Sequence, residues 1–256
     1  MIGAIRNWLE RRVVARSTIT PAQWEHAFAS LPLLFGLTDD EKRRLRELTI
    51  LFMHRKVFEG AHGLEVSQAL ALKISLQACL PVLELGLDLY RGWTSIIVYP
   101  SGFAPLRVYQ DEFGVEHIER SELAGEAWED GPVILSWDDA DQGGEVDGYN
   151  LVIHEFAHKL DMQNGESNGF PPLHPEMNAD NWTGIFSAGF ESFRRSCDAG
   201  VDLGISDYAA SSPTEFFAVL SEVFFEQPAL LDRLYPSIYA QLRLYYRQDP
   251  LARRRW

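Results

Sequence analysis

The stretch GYNLVIHEFAHKLDMQNG, residues 148–165, contains two histidines four positions apart and a glutamate directly after the first one. If residues 150–163 form a helix, His154 and His158 lie one above the other on the same face. Two imidazole nitrogens in that arrangement can bind one zinc ion at about 2.0–2.1 Å. Glu155, beside the ion, could take a proton from an activated water and later deliver it to a leaving amine. The stretch therefore predicts a metal site on a helix.

The alternative interpretation is an ordinary amphipathic helix that happens to contain two histidines. A chain of this length contains H-E-x-x-H by chance with a probability on the order of 1%. Here the motif lies among apolar residues that would hold the helix rigidly: Leu151, Val152, Ile153, Phe156, Ala157 and Leu160. Asp161 follows on the same face, and we expect its carboxylate to accept a histidine N–H and fix the metal-binding tautomer. These features favour the metal site over chance.

Composition limits the classes of function that fit the chain. The 256 residues are 46% hydrophobic and 23% charged, which is typical of a soluble globular protein. A net charge of −14 argues against direct nucleic-acid binding, because phosphates would be repelled. The most apolar segment, residues 69–89, contains Lys73, Glu84 and Asp88, so it predicts a buried helix rather than a membrane span. The N-terminal segment has arginines where a secretion signal would be apolar, and the chain has only two cysteines, so we expect a cytoplasmic protein.

Two kinds of sequence follow each other along the chain. Residues 1–90 predict an N-terminal helical part, with Thr38 and Glu41 forming a capping box and Pro81 interrupting a later helix. Between Thr94 and Trp137, four short β-branched and aromatic segments predict a small, mostly antiparallel sheet: TSIIVYP, APLRVYQ, GVEHIE and GPVILSW. Helical sequence then runs to the end. The pattern predicts an α+β, predominantly helical fold, with residues 91–256 as the second part.

Two histidines need at least one more protein ligand, and the sequence leaves its identity open. In H-E-x-x-H-x-x-G-x-x-H enzymes a third histidine follows, but Asn164 occupies that position here. His174 lies between prolines and fits a surface loop better than a metal site. A glutamate is then the natural ligand, and spacing alone does not choose among the downstream candidates, which are Glu166, Glu176, Glu191, Glu215 and Glu222.

The segment SDYAASSPTEFFAVLSEVFFEQP, residues 206–228, holds the most promising glutamates. Ser212 and Pro213 predict the start of a helix, and Glu215 at its third position suits either a capping box or a metal ligand. Glu222 lies two turns further along the same face. It could orient a ligand histidine, bind the metal itself or face solvent.

LVIHEFAHKLD together with EFFAVLSEVFF resembles the Mlc titration factor A family, which are bacterial cytoplasmic zinc metallopeptidases. The segment Y-x6-EFFA, Tyr208 to Ala218, is also similar to the catalytic domain of anthrax lethal factor, another zinc peptidase. The resemblance implies a zincin-like catalytic part that binds one Zn²⁺ per chain through His154, His158 and Glu215. It also implies that Glu155 is the general base and that Tyr208 donates a hydrogen bond to the oxyanion. Without the resemblance, Tyr208 would fit a packing aromatic at a helix end better than a catalytic residue.

The expected function is zinc-dependent peptide hydrolysis, and the resemblance implies aminopeptidase-like action on short peptides. We expect a strand of the sheet, GPVILSW, to bind the substrate backbone by edge pairing. The resemblance also implies a protein partner, because the family is named for sequestering a transcriptional repressor; such a regulatory role is the main alternative. A closed, purely structural zinc site is a further alternative, although it would have no use for a base at position 155.

Overall fold

The N-terminal part of the chain is helical, as its sequence predicts, apart from one short strand. The computed structural model describes residues 2–102, 106–110, 116–120, 124–128 and 130–253. The first helices are α1 (Ile2–Ala15), α2 (Pro21–Ala29), α3 (Asp39–Arg55) and α4 (Gln68–Cys79). The predicted capping box is present at the start of α3. The Thr38 hydroxyl accepts the Glu41 N–H at 3.2 Å, and the Glu41 carboxylate accepts the Thr38 N–H at 2.8 Å. Helix α4 ends two residues before Pro81, which cannot continue a helix.

The sheet is mixed rather than mostly antiparallel. Its strands are β1 (Val57–Gly60), β2 (Ser95–Tyr99), β5 (Gly125–Ala127) and β6 (Val133–Ser136), while β3 (Leu106–Gln110) and β4 (Glu116–Arg120) form a separate antiparallel hairpin. The order is β1-β2-β6-β5, with β1–β2 and β2–β6 parallel and β5–β6 antiparallel. The prediction of mostly antiparallel pairing is therefore wrong for two neighbouring pairs. Parallel neighbours need long crossovers, which helix α4 and the β3–β4 region supply. The parts of the predicted strands at residues 104–105 and 114–115 lie outside the described residues.

The segment GPVILSW contains β6, which lies between β2 and β5 in the sheet. Its backbone is paired on both sides, so the expectation that this strand offers an edge to substrate is wrong. Strand β5 stands at one end of the sheet order, and among the described strands it pairs on one side only, with β6.

The later helices form the rest of the fold and position the histidines. They are α5 (Trp137–Gln142), α6 (Leu151–Asp161), α7 (Ala179–Asp198), α8 (Pro213–Glu226), α9 (Pro228–Leu234), α10 (Pro236–Tyr246) and α11 (Pro250–Arg253). Every residue of α6 is buried. One side of α6 packs against α8, and Phe156 on another side contacts Phe52, Tyr90 and Trp93 at ring-centre distances of 5.6, 5.0 and 5.8 Å.

The described residues form an α+β fold that is predominantly helical, as predicted. Strand β1 and the aromatic contacts of Phe156 join residues before position 90 to residues after it. The division into parts 1–90 and 91–256 stays a prediction. Among the described residues, every helix is too short or too polar to cross a membrane.

Candidate metal centre

Asn150, the residue directly before helix α6, fixes how the helix is rotated about its axis. The Asn150 side chain accepts the Ile153 N–H at 2.9 Å and so caps the helix. The Asn150 N–H donates to Glu222 on α8 at 2.5 Å, and its amide group donates to Gln77 and Glu226, both at 2.9 Å. These bonds tie the start of α6 to two neighbouring helices. The rotation of α6, and with it the direction of both histidines, is therefore set by buried polar contacts.

The two histidines of α6 meet the first turn of α8. The Nε2 atoms of His154 and His158 are 3.1 Å apart. The Oε2 atom of Glu215 lies 3.0 Å from the first and 3.3 Å from the second. Among the described residues, these three side chains are the one group of His, Cys, Asp and Glu whose ligand atoms converge, all within 4.8 Å of one another.

This donor set fits a zinc ion. Three ligand atoms at 2.0–2.1 Å from one ion, at tetrahedral angles, lie about 3.4 Å apart, which is close to the distances between these three side chains. Two histidines and one carboxylate also leave the fourth position of a tetrahedral site open, as in catalytic zinc sites. A buried carboxylate oxygen of Glu155, beside these three side chains, has no hydrogen-bond partner in the described part of the chain. Such an orphaned polar atom indicates a site that an ion or water completes.

The two candidate roles of Glu215, at the helix cap and as a metal ligand, involve different atoms of the residue. Its N–H donates to the Ser212 hydroxyl at 3.1 Å, so the serine caps α8. Its carboxylate faces the two histidines rather than the serine backbone. Burial raises the pKa of Glu215, but hydrogen bonds from both histidines outweigh burial and hold it well below its usual range.

Glu222 contacts the outer nitrogen of the first histidine. Its Oε1 atom lies 2.7 Å from Nδ1 of His154. An ionised carboxylate only accepts, so Nδ1 carries a proton bonded to Glu222, which leaves Nε2 as the nitrogen that a metal would bind. Burial lowers the pKa of His154, yet Glu222, Glu215 and Glu155 together raise it well above its usual value. Glu222 therefore occupies the position of a carboxylate that orients a ligand histidine.

Glu155 and Tyr208 lie at the wall and the rim of a cleft of about 200 Å³ beside the three converging side chains. Glu155 is 4% exposed, and burial raises its pKa to about 7. The backbone of strand β5 runs directly against it, since a Cβ atom added to Gly125 would lie 2.4 Å from Oε1 of Glu155. Tyr208 belongs to a short 3-10 turn, Asp207–Ala210, and is 53% exposed. Its ring centre lies 6.0 Å from that of His154.

Asp161 does not contact a histidine, contrary to the expectation from its spacing. Its Oδ2 atom instead accepts three hydrogen bonds from a loop: from the Ser167 hydroxyl at 2.6 Å, the Asn168 N–H at 2.8 Å and the Gly169 N–H at 2.7 Å. Its Oδ1 atom is buried and has no hydrogen-bond partner among the residues that the structure describes. The helical period predicts that Asp161 lies on the side of the histidines, but its Oδ2 atom is bonded to the three loop donors instead.

The other candidate ligands lie elsewhere. His174 contacts the backbone oxygen of Tyr245 at 2.7 Å, in agreement with a loop position. Glu176 pairs with Arg247 at 2.5 Å, and Glu191 is an exposed residue of α7. Sequence reasoning missed Gly125 and Asn150. A glycine in a strand pattern signals close backbone approach, and an asparagine before an apolar helix signals a cap, so both signals were available.

Comparison with known proteins agrees with this geometry. The profile of the glucose-regulated metallo-peptidase M90 family matches residues 5–247. The chain belongs to this family. Mlc titration factor A of Yersinia pestis (strain Pestoides F) is 39% identical over 239 residues, covering 92% of this chain and 88% of that protein. The same protein of Yersinia pseudotuberculosis serotype O:1b (strain IP 31758) has the same identity and coverage. Membership of this family confirms the resemblance seen in the sequence and implies a metal, which the group formed by His154, His158 and Glu215 could bind.

Proposed function

We propose that this protein is a zinc-dependent metallopeptidase that hydrolyses peptide bonds. The observation that carries the proposal is the meeting of His154, His158 and Glu215, with the buried carboxylate of Glu155 beside them. Membership of a metallo-peptidase family supports it independently. Zn²⁺, when bound by these three side chains, supplies a Lewis acid that lowers the pKa of water from 15.7 toward ~7.

The chain's own residues then have separate tasks. Glu155 accepts the proton of the attacking water on its carboxylate and delivers it to the leaving amine. Burial raises the pKa of Glu155 above its usual value, which favours uptake of this proton. The Tyr208 hydroxyl, at the rim of the cleft, donates a hydrogen bond to the developing oxyanion. Glu222 holds the His154 ring through Nδ1.

Strand β5 supplies an edge on which an extended peptide can pair. The Ser136 N–H donates to the Ala124 oxygen at 2.7 Å, and the Trp128 N–H donates to the Pro132 oxygen at 3.2 Å. In an antiparallel ladder, the residues between such pairs turn their N–H and C=O groups away from the partner strand. Gly125 and Ala127 therefore direct theirs to the open edge, next to Glu155. A substrate strand added there would bring its backbone carbonyl to the cleft.

The substrates that we propose are short peptides with a free N-terminus, cleaved in an aminopeptidase-like manner in the cytoplasm. Resemblance to the family supports this class, and the cleft volume of about 200 Å³ favours small groups over a folded protein segment. The two cysteines, Cys79 and Cys197, are unpaired, which fits a reducing compartment.

The test is hydrolysis of aminoacyl p-nitroanilides and short peptides by the zinc-loaded protein, beside the matched variant Glu155→Gln. Wild type should cleave and the variant should not, with equal zinc in both. N-acetylated substrates distinguish an aminopeptidase from an endopeptidase, because an aminopeptidase should cleave them poorly and an endopeptidase should cleave them normally. Reversible inhibition by a hydroxamate would show an open coordination position and exclude a closed structural site. Equal cleavage by wild type and Glu155→Gln would contradict the assigned base.

A second proposed function is the binding and sequestration of a transcriptional repressor. The name of the relatives, Mlc titration factor A, supports it. Peptide hydrolysis and partner binding can coexist in one chain. Titration calorimetry with purified Mlc-type repressor tests the proposal. Equal binding by wild type and Glu155→Gln supports a role that does not need catalysis, and no binding by either removes it.

A further inference from the structure

Asp161 joins the helix that carries the histidines to a loop whose Ser167 lines the cleft. It is completely buried at the end of α6, and its Oδ2 atom accepts the three hydrogen bonds from Ser167, Asn168 and Gly169. Hydrogen bonds to an ionised carboxylate are stronger than those between neutral groups. One side chain therefore fixes three successive residues of the loop.

The same loop is pressed against the beginning of α8. Gly169 has a φ of +79°, and a Cβ atom added to it would lie 2.5 Å from the backbone oxygen of Pro213. The Trp182 indole N–H donates to the Gly169 oxygen at 3.3 Å and so also holds the loop in place. Pro213 is the first residue of α8, and Glu215 follows two positions later. The loop thus forms a direct backbone contact with the turn that carries Glu215.

We infer that Asp161 is a positioning residue for Glu215, acting through the loop at residues 167–169 rather than through a histidine. The inference rests on the proposed metal site, because it assigns Glu215 as the ligand that the loop holds in place. Asp161 ties the loop to α6, and the loop limits how far the first turn of α8 can move away from His154 and His158. The residue therefore couples the two helices that supply the three ligands.

Metal affinity and local backbone order are the two properties that this arrangement controls. Loss of a residue that orients a metal ligand typically weakens metal binding by about 10- to 100-fold. Asp161→Ala removes the acceptor of all three bonds. Asp161→Asn keeps one acceptor oxygen but loses the charge, so we expect a smaller effect. Gly169→Ala leaves Asp161 intact and breaks the contact with Pro213 instead.

The experiment measures the zinc dissociation constant by chelator competition and the amide hydrogen exchange of residues 212–217 in the zinc-free protein. We expect zinc affinity to fall by about 10- to 100-fold in Asp161→Ala and in Gly169→Ala, with less loss in Asp161→Asn. Exchange at residues 212–217 should accelerate in the same order, because the amides of Glu215 and Phe216 bond to Ser212 at the start of α8. The control is Asn164→Ala, which removes a bond to the Phe170 oxygen in the same loop and should change neither quantity by more than about twofold.

Wild-type affinity and exchange in both Asp161→Ala and Gly169→Ala would overturn the inference. So would weak binding in Asp161→Ala alone, because a direct effect on a histidine would leave Gly169→Ala unaffected. If Asp161→Ala fails to fold, Asp161→Asn and Gly169→Ala decide. If wild type binds no zinc, the proposed function fails, and the exchange at residues 212–217 still tests whether Asp161 positions this turn.

Discussion

A methyl group added at position 125 should disable the proposed base without removing the metal. An ideal Cβ atom on Gly125 would lie 2.4 Å from Oε1 of Glu155 and 2.8 Å from its Cδ and Cγ atoms. Ordinary van der Waals contact of a Cβ atom begins at 3.4 Å, so the carboxylate or the strand must move by roughly 1 Å. Misplacement by about 1 Å of a group that takes part in the reaction can cost on the order of 100-fold in rate, or about 2.7 kcal/mol of activation free energy. The three atoms nearest to the added methyl group all belong to Glu155.

The assay compares kcat/KM for a peptide substrate, zinc content and thermal unfolding in Gly125→Ala and Gly184→Ala. Gly184 lies within α7, and a Cβ atom there would meet no atom within 4 Å. Gly184→Ala should keep full activity and be as stable as wild type or more stable, by up to about 1 kcal/mol. Gly125→Ala should lose about 100-fold in kcat/KM while it keeps its zinc. Activity of Gly125→Ala within threefold of wild type, at equal zinc content, would refute the role of this contact.

Four further outcomes follow from the site. Glu155→Gln should lower kcat by about 10²–10⁴-fold and keep its zinc. A steady-state assay at matched metal content measures the change in kcat, and a change below tenfold would show that Glu155 is not the base. Tyr208→Phe should lower kcat by about 10²–10³-fold with little change in melting temperature, because the side chain is exposed; an altered KM with an unchanged kcat would speak against oxyanion binding. Glu222→Gln should weaken zinc binding by about 10- to 100-fold in a chelator competition, and unchanged affinity would leave the contact with His154 without a function. Removal of zinc by a chelator should abolish hydrolysis. It should also lower the free energy of unfolding by about 2.7 kcal/mol, compared with protein at a free zinc concentration 100 times Kd. Denaturant titrations with and without zinc measure this difference, and coinciding curves would show that the site binds no metal.

The helix of the histidines was predictable because its signals are local. The sequence predicts a helix over residues 150–163, and α6 runs from Leu151 to Asp161. Apolar residues on all sides, a cap at Asn150 and two histidines one turn apart all agree on the same element. Local signals of this kind do not depend on what the helix later packs against.

The candidate third ligand and the strand directions of the sheet could not be predicted from local sequence pattern alone. At the third position of α8, Glu215 suits a capping box and a ligand equally well, and only the approach of α6 shows which way its carboxylate turns. The helical period predicts the side of α6 on which Asp161 lies, but it does not predict the residues that Asp161 contacts. These residues, 167–169, belong to a loop, and no regular sequence pattern indicates where a loop packs. Strand direction in the sheet depends on crossovers through α4 and the β3–β4 region, and short apolar runs carry no information about them.

Zinc content of purified protein tests the central proposal most directly, measured in wild type and in Glu215→Ala at matched fold content. A His-His-Glu site predicts close to one zinc per wild-type chain and a large loss in the variant. Full zinc in Glu215→Ala would reduce Glu215 to a residue of the capped helix start. No zinc in either protein, even after zinc is added back, would contradict the account of this site as a zinc metallopeptidase.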